Sequence, residues 1–299
     1  MTAERQIDLE KSTHVRFPGL VRLVMRTGAR LAPRLASRGF ADRFVTPARA
    51  PAPEREQAWA AGAERFTVRS GDYDLAVSCR GLGGPQILLV HGWSGRGSQL
   101  GAFIEPLVRA GYEVNWFDLP AHGRSSGRQS GLPDAIAAVE AVVAWLGGAH
   151  TVVAHSMGAA ATTLAAARGA EIGRMVYLSP PDDVGAFLGI VGRLIGLPQG
   201  VIDGAQGVIE RRFGVRFEEL LSSRAAHALE QPLLAIHDRG DREVPLAEVR
   251  RVVAAWPHAE LVLTEELGHR RILRDPAVVA RVVEFATREP AAGVHHRAA

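Results

Sequence analysis

The sequence predicts an α/β fold in which helices cover both faces of a mostly parallel, eight-stranded sheet. From residue 64 onward, short apolar runs that suit buried strands alternate with stretches whose apolar residues recur at helical spacing. Repeated alternation of strand and helix places the strands side by side in one sheet, with the helices on its faces. The chain has 299 residues, 47% of them apolar, which is enough for one large core, so its length does not demand two domains.

Eight segments have the pattern of strands, and the first two are expected to pair as a hairpin that turns at Gly71 and Asp72. Residues 86–90 are continuously apolar, which is typical of a strand buried on both faces. In chain order, the predicted strands are residues 66–69, 75–78, 86–90, 112–119, 151–154, 175–178, 233–236 and 261–264. Helices are predicted over residues 100–111, 134–146, 157–169, 246–255 and 276–287.

Residues 183–229 interrupt this alternation, because they hold many apolar residues but no strand pattern. We therefore expect a helical cap that is inserted after the sixth strand and lies above the sheet. Its closely spaced glycines suit a mobile lid over an acyl pocket, and its apolar helices equally suit a rigid roof. The expected division of the chain is a basic helical extension and linker at 1–60, an α/β core at 61–182 and 230–290, the cap at 183–229 and a disordered tail at 291–299.

The N-terminal segment carries arginines at every fourth position with apolar residues between them, namely Arg22, Arg26, Arg30, Arg34 and Arg38. One interpretation is a helix, interrupted at Pro33, whose apolar side packs on the α/β body and whose arginines are solvated. The other is a weak contact of this Arg-rich segment with an anionic membrane surface. The segment lacks a signal-peptide pattern, because acidic residues stand where a basic region belongs.

Charge and cysteine content narrow the class of protein and its compartment. The formal net charge is +3, and residues 1–56 hold 11 basic and six acidic groups, so the remainder is close to neutral and suggests no nucleic-acid partner. Cys79 is the single cysteine, which rules out an internal disulfide and fits a reducing compartment. No stretch reaches the roughly 18 consecutive apolar residues of a membrane span. We expect a cytoplasmic protein, at most peripheral to a membrane, and the sequence leaves its oligomeric state open.

The strongest functional signal is the run Val152-Val-Ala-His-Ser156-Met-Gly158, in which an apolar strand leads through a serine into an alanine-rich helix. So tight a turn strains the backbone of the central residue and pushes its side chain out above the sheet. The residues two before and two after the serine must be small, and here they are Ala154 and Gly158. Ser156 is therefore the candidate nucleophile at a helix N-terminus, where negative charge is stabilised, and His155 is expected to brace the turn.

A second signal, His91-Gly-Trp-Ser94, directly follows the third predicted strand. Gly92 lets the chain turn sharply, so that the backbone N–H of Trp93 can point at the site. Together with the N–H of Met157, it would form an oxyanion hole with two donors. His91 is expected to hold this loop through hydrogen bonds rather than to react.

A third signal, Asp118-Leu-Pro-Ala-His-Gly-Arg-Ser125, closes the next strand. His-Gly after one strand, Asp-x-x-(Gly/Ala)-x-Gly-x-Ser after the next and a serine turn after the third is the order found in the α/β-hydrolase family. The chain resembles this family over about residues 64–290, with all three motifs in register with the strands. The resemblance implies the α/β-hydrolase fold and a serine hydrolase of the esterase or lipase branch, with Asp118 as a structural group that caps its turn.

The same resemblance implies the partners that a weakly nucleophilic serine hydroxyl needs. In this fold the order along the chain is serine, acid, histidine. The segment Asp-Arg-Gly-Asp241-Arg-Glu-Val-Pro is similar to the family's acid loop, in which an aspartate precedes Val-Pro by three residues; this selects Asp241 over Asp238, which is left to tie down the loop. Gly-His269, after the last strand, is similar to the segment that carries the general base.

These residues predict that a small-molecule carboxylic ester is hydrolysed through an acyl-enzyme, with no metal and no cofactor. Serine at position 156 excludes the dehalogenase and epoxide-hydrolase branches, which resemble this fold but use aspartate there. Amidases and carbon–carbon hydrolases share the same machinery, and a carboxylesterase for small to medium acyl esters is the expected activity. The open alternatives are a membrane-surface lipase or thioesterase, and a non-catalytic protein that binds a small molecule in the same pocket.

Overall fold

The computed structural model describes residues 27–288 and confirms the predicted sheet. Its strands are β1 (Glu64–Ser70), β2 (Tyr73–Arg80), β3 (Gln86–Val90), β4 (Glu113–Phe117), β5 (Ala149–His155), β6 (Ile172–Leu178), β7 (Leu233–Asp238) and β8 (Ala259–Thr264). They form a single sheet in the order β1-β2-β4-β3-β5-β6-β7-β8. The predicted hairpin of β1 and β2 is antiparallel, β2 runs antiparallel to β4, and the remaining neighbours are parallel.

Helices connect these strands and precede them. They are α1 (Pro33–Phe44), α2 (Glu54–Trp59), α3 (Ile104–Arg109), α4 (Leu132–Leu146), α5 (Met157–Ala167), α6 (Ala186–Leu194), α7 (Gln199–Phe213), α8 (Ser222–Ala226), α9 (Leu246–Ala255), α10 (Gly268–Arg271) and α11 (Pro276–Thr287). Three 3₁₀-helices span Gly97–Phe103, Phe217–Leu220 and Ile272–Arg274. Within the described residues, no helix is long and apolar enough to cross a lipid bilayer.

One predicted helix, over residues 100–111, begins as a 3₁₀-helix and becomes α-helical only at α3. The N–H of Gly97 donates to the carboxylate of Asp118 at 2.8 Å, and the N–H of Gln99 donates to the carbonyl of Arg96 at 3.1 Å. Bonds that span three residues, together with this side-chain acceptor, tighten the first turn of the segment.

Alternate residues of the central strands face two separate layers of helices. On one face of the sheet, Leu88 and Val90 of β3 pack with residues of α4 and α5. On the other face, Ile87 and Leu89 pack with residues of α3 and α11. All four side chains are fully buried, which is why the run reads as continuously apolar in the sequence. Burial of such side chains, worth roughly 1.5–3 kcal/mol each, is the main force that holds the sheet between its helices.

The cap follows β6 as expected and is entirely helical, with α6, α7, the 3₁₀-helix Phe217–Leu220 and α8 leading back to β7. The domain boundaries drawn from the sequence remain predictions.

The N-terminal helix packs on the cap, which corrects the expectation that its apolar side lies on the α/β body. Phe40 and Ala41 of α1 are buried in one cluster with Val201 and Ile202 of α7. Ser37 of α1 donates a hydrogen bond to the carbonyl of Val201 at 3.0 Å. The helix of this segment is interrupted directly before Pro33, as expected: residues 27–31 are helical, and α1 begins at Pro33.

Arg30, Arg34 and Arg38 are exposed, as expected for solvated arginines. Arg22, Arg26 and the tail predicted at 291–299 lie outside the described residues.

The linker between α1 and β1 is bound to two loops of the α/β core. Arg49 donates to the carbonyls of Ala121, Ser125 and Gly127 in the loop after β4, at 2.8 to 2.9 Å. A second attachment is the ion pair between Arg96 and Glu56 at 2.6 Å, whose side chains are 13% and 5% exposed. The N-terminal segment is therefore joined to the core at one end and to the cap at the other.

Candidate active site

Ser156 occupies a strained turn between β5 and α5, as its neighbours in the sequence predict. Its backbone has a φ of 52° and a ψ of −126°, which residues with a side chain rarely adopt. The turn is held because the N–H of Ser156 donates to the carbonyl of Leu178 at 3.0 Å. His155 and Met157 are buried on either side, whereas Ser156 is partly exposed. The strained turn thus presents the serine and hides its neighbours.

Small residues around the serine are needed because the backbone of a neighbouring loop passes close by. A Cβ atom at Gly158 would lie 2.5 Å from the carbonyl oxygen of His91 and 2.8 Å from that of Val90. Ala154 is fully buried in β5, so the sheet accommodates its one extra methyl group.

The loop after β3 brings Gly92 and Trp93 to the serine. Gly92 lies against Ser156, and Trp93, Ser156 and Met157 line one common cavity. The indole of Trp93 contacts the ring of His122 edge-on, with 5.0 Å between the ring centroids. The backbone N–H groups of Trp93 and Met157 remain the predicted oxyanion donors.

Two buried histidines hold this loop and the one beside it. Nε2 of His91 accepts the N–H of Leu119 at 2.9 Å, and Nε2 of His122 accepts the N–H of Ser94 at 2.9 Å. Each ring donates through Nδ1 to a backbone carbonyl, so both are neutral. Burial lowers the pKa of His91 to about 4 and that of His122 to about 3. His91 and His122 therefore hold the backbones of these loops through hydrogen bonds.

Asp241 and His269 form a hydrogen-bonded pair. Nδ1 of His269 lies 2.8 Å from Oδ2 of Asp241, and both side chains are buried. The other carboxylate oxygen accepts the N–H groups of Glu243 and Val244 at 2.8 and 3.0 Å. Burial raises the pKa of Asp241, but the hydrogen bond and charge of His269 and the N–H of Val244 outweigh it and lower the pKa to about 2. The ionised carboxylate keeps the proton on Nδ1, which leaves Nε2 available as a base.

Asp238 connects the two loops that carry this pair. One of its oxygens accepts the N–H of Gly240, and the other accepts the hydroxyl of Thr264 and the N–H of Leu267, all at 2.9 Å. The loop-tying role expected of Asp238 is confirmed. Asp118 is structural as expected, since its carboxylate accepts the N–H groups of Gly97 and Arg124.

His155, which precedes the candidate nucleophile, contacts the candidate base. Nε2 of His155 lies 3.0 Å from the backbone carbonyl of His269, and the ring centroids are 4.5 Å apart. A carbonyl can only accept, so Nε2 carries the proton. Burial lowers the pKa of His155 well below its usual range. His155 therefore braces the loop of His269 and so links the serine turn to the Asp241–His269 pair.

Two further polar groups lie near this pair, Glu243 inside the quoted acid-loop segment and His237 directly before it. Oε2 of Glu243 lies 3.9 Å from Nε2 of His269, the ring nitrogen that faces away from Asp241. Nδ1 of His237 lies 3.9 Å from Oδ2 of Asp241, and neither ring nitrogen of His237 has a hydrogen-bond partner among the described residues. The sequence predicted no role for either residue, and the only signal was their position, His237 near the end of β7 and Glu243 in the loop that follows it.

A cavity of about 880 Å³ adjoins Ser156 and is lined by the cap on one side. The N-terminal segment lines it on another side, with ten of the 29 lining residues falling between Gly28 and Val45. The sequence of this segment shows apolar residues at helical spacing, but the local pattern did not predict that the segment lies beside the cap or the cavity.

The chain matches the sequence pattern of the alpha/beta hydrolase family over residues 87–282. Among curated proteins, it is 24% identical over 262 residues to a 2-hydroxy-6-oxononadienedioate/2-hydroxy-6-oxononatrienedioate hydrolase of Cupriavidus pinatubonensis, covering 70% of this chain and 90% of that protein.

Two solved esterases have a similar fold. An esterase of Pyrococcus furiosus superposes with a TM-score of 0.62 at 23% identity, covering 81% of this chain and 98% of that one. The naproxen esterase of Bacillus subtilis superposes with a TM-score of 0.60 at 16% identity, covering 77% of this chain and 94% of that one. Likeness at this level of identity shows the fold alone.

Proposed function

The chain belongs to the alpha/beta hydrolase family, and on that premise we propose that it is a serine hydrolase for small to medium acyl esters of carboxylic acids. The observation that carries the proposal is the 2.8 Å hydrogen bond between Asp241 and His269, joined through His155 to the strained turn at Ser156. An acid, a base that it orients and an accessible hydroxyl are the three parts of nucleophilic ester hydrolysis.

In this reaction, Oγ of Ser156 attacks the acyl carbonyl carbon while Nε2 of His269 takes the hydroxyl proton. The N–H groups of Trp93 and Met157 stabilise the oxyanion of the tetrahedral intermediate, each contributing roughly 3 kcal/mol. Collapse expels the alcohol, which receives its proton from His269, and leaves Ser156 acylated. His269 then deprotonates a water molecule that attacks the acyl group, and the acid leaves as Ser156 regains its proton. Asp241 stabilises the imidazolium at both stages.

The lining of the cavity favours an apolar acyl group over a charged one. Of the described residues that line it, Arg43 alone carries a charge, and its guanidinium donates to the carbonyl of Thr46 at 2.7 Å. The hydroxyl of Ser130 is likewise engaged, because it donates to the carbonyl of Pro120 at 2.8 Å. A dicarboxylate such as the one named for the Cupriavidus pinatubonensis hydrolase would find Arg43 as its one charged partner among these lining residues and would leave its second carboxylate without a cation. A neutral alkyl chain fits it, which favours a carboxylesterase.

Hydrolysis of p-nitrophenyl esters from acetate to palmitate, by wild type and Ser156→Ala in parallel, tests the proposal. We expect turnover by the wild type and a loss of at least about 10³-fold in kcat for the variant. A fluorophosphonate probe should label the wild type at Ser156 and leave the variant unlabelled. If the wild type hydrolyses no ester of the series and stays unlabelled, the protein is a binder with an inactive pocket, and direct binding of apolar ligands becomes the measurement to make.

A second candidate function is that of a lipase acting at a membrane surface, and one observation favours it. Leu31 and Leu35 are 83% and 71% exposed beside the exposed Arg30, Arg34 and Arg38. An apolar and basic surface of this kind suits an anionic bilayer. Leu35 also lines the cavity, so a lipid chain could enter from that side.

Vesicle sedimentation separates the two candidates. Deleting residues 1–50 would also uncover the apolar surface of the cap that α1 buries, so Leu31→Ser/Leu35→Ser is the cleaner variant. Leu82→Ser is the matched control, because Leu82 is also an exposed leucine but lies outside the N-terminal segment. Binding to phosphatidylglycerol vesicles that only the double variant loses would support the lipase; equal absence of binding by wild type and both variants would leave the carboxylesterase.

A further inference from the structure

We propose that helix α1 is the wall of the substrate cavity that limits the length of the acyl chain, and that Gly39 is the residue that keeps this wall open. This inference rests on the proposed esterase function, since it assigns the cavity beside Ser156 to the acyl group. It gives the N-terminal segment, which stands outside the family match at residues 87–282, a direct part in substrate selection.

The cavity directly adjoins the proposed nucleophile. Ser156, Trp93 and Met157 line the same cavity as Leu35 and Gly39 of α1. An acyl group attached to Ser156, with its oxygen toward the N–H groups of Trp93 and Met157, has this cavity as its nearest apolar space. Its volume of about 880 Å³ lies near the upper end of the range usual for ligand pockets, well beyond the need of an acetyl group.

Helix α1 is held firmly against α7, so a larger side chain on its cavity face should reduce the space left for substrate. Ser37 donates to the carbonyl of Val201, and Asp42 forms an ion pair with Arg212 at 2.5 Å, so α1 is attached to α7 along its length. The helices approach closely, because a Cβ atom at Gly204 would lie 2.4 Å from Oγ of Ser37. Because of these contacts, α1 cannot easily shift outward to make room for a side chain that is added on its cavity face.

Gly39 is exposed, lines the cavity and has room for a side chain. A Cβ atom at this position would meet no atom within 4 Å, and its backbone is not in the left-handed region. Leucine at position 39 would therefore be added without a clash at its Cβ. Because Gly39 lines the cavity, the inference places this leucine side chain at the cavity wall, where it shortens the space for an acyl chain. Gly200, at the start of α7, is the matched control, because it is exposed, has no atom within 4 Å of an added Cβ and does not line the cavity.

The experiment compares wild type, Gly39→Leu and Gly200→Leu on p-nitrophenyl acetate, butyrate, octanoate, decanoate and palmitate. For the wild type, kcat/KM should rise with chain length by up to about fourfold per methylene while the chain is being buried. Gly39→Leu should keep its acetate activity within about twofold and lose tenfold or more on the longest chains that the wild type accepts. Gly200→Leu should follow the wild type throughout.

Other outcomes separate this inference from the function on which it rests. A Gly39→Leu profile parallel to that of the wild type, with full labelling by the fluorophosphonate, would overturn the role of α1 and leave the esterase standing. A wild type that neither turns over nor labels would overturn both. Should Gly39→Leu fail to fold by circular dichroism, Ala32→Leu, at the cavity-lining residue directly before α1, takes its place: selective loss on long chains supports the role of this wall, and a profile parallel to the wild type overturns it.

Discussion

Gly92 lies so close to Ser156 that a Cβ atom on Gly92 would stand 2.9 Å from the Cβ of Ser156 and 3.2 Å from Nδ1 of His155. Non-bonded carbon atoms prefer separations of about 3.5–4.0 Å, so the loop after β3 and the serine turn fit together only with glycine here. Glycine at this position thus sets the distance between the proposed oxyanion donor of Trp93 and the proposed nucleophile.

We therefore expect Gly92→Ala to lower kcat at least tenfold, because the methyl group must push either the loop after β3 or the serine turn out of place. Stability should fall by about 1–3 kcal/mol, as for other overpacked sites. Ester turnover and urea unfolding measure the two effects. Gly200→Ala, where the added methyl group meets nothing, is the control; equal activity of both variants would mean that the fit between the loops is loose.

Substitution of each aspartate by asparagine should distinguish the role of Asp241, the proposed acid, from that of Asp238. In Asp241→Asn, the amide can present its N–H₂ to Nδ1 of His269 and favour the wrong tautomer, so kcat should fall by about 10⁴. Asp238→Asn keeps the 2.8 Å bond between Asp241 and His269, so its main effect should be on stability, through weaker bonds to Thr264 and Leu267. Steady-state kinetics and thermal melts on both variants decide; a larger kcat loss in Asp238→Asn would reverse the assignment.

His155 should act on turnover through the position of His269. Removing its ring in His155→Ala leaves the carbonyl of His269 without its donor, which costs about 1–3 kcal/mol and loosens the loop that carries His269, the proposed base. We expect kcat to fall about tenfold with little change in KM, and His155→Gln, which can donate to the same carbonyl, to recover part of the loss. If both variants raise KM and leave kcat unchanged, His155 serves the substrate pocket instead.

Stability should fall as the pH drops from about 6.5 to about 4. The pKa of His91 is about 4 and that of His122 about 3 in the folded protein, against roughly 6.5 when unfolded. In that interval the unfolded chain binds protons that the folded chain does not. The contribution of these histidines to the free energy of unfolding therefore has its full value above about pH 6.5 and declines as the pH falls below it. His155 and His237, whose pKa values are also lowered by burial, add in the same direction.

Urea unfolding at several pH values measures this decline, and His122→Gln is the informative variant. Its side chain can still accept the N–H of Ser94 but does not titrate, so its stability should depend less steeply on pH than that of the wild type. An equally steep dependence would show that other groups drive the acid response.

The central strands β3 to β7 could be predicted because they are buried on both faces, where local pattern and tertiary environment agree. The run at 86–90 and the helices at 246–255 and 276–287 have the predicted bounds. The strand predicted over 112–119 ends at Phe117, since the N–H of Leu119 is taken by the ring of His91 instead of a neighbouring strand. A side chain 28 residues away decides that boundary, so no local pattern contains it.

The site was predictable to the extent that its residues lie in short motifs. Asp241 and His269 come together as expected because each follows a strand and the two strands are parallel neighbours. The contributions of α1 and of His122 were not predicted, since each depends on a partner that only the assembled fold brings near. An apolar helical face indicates that the helix packs against another part of the protein, but the pattern does not identify that part.

The pairing of α1 with α7 also has a consequence for how the protein assembles during synthesis. Ser37 bonds to Val201, 164 residues later in the chain. Helix α1 therefore leaves the ribosome long before its partner exists, with an apolar face that has nothing to cover it. Contacts of such long sequence separation form slowly, and uncovered apolar surfaces attract one another. The loops that carry Ser156, Asp241 and His269 can meet as the sheet closes, whereas the proposed substrate pocket is completed only when the beginning of the chain folds back onto the cap.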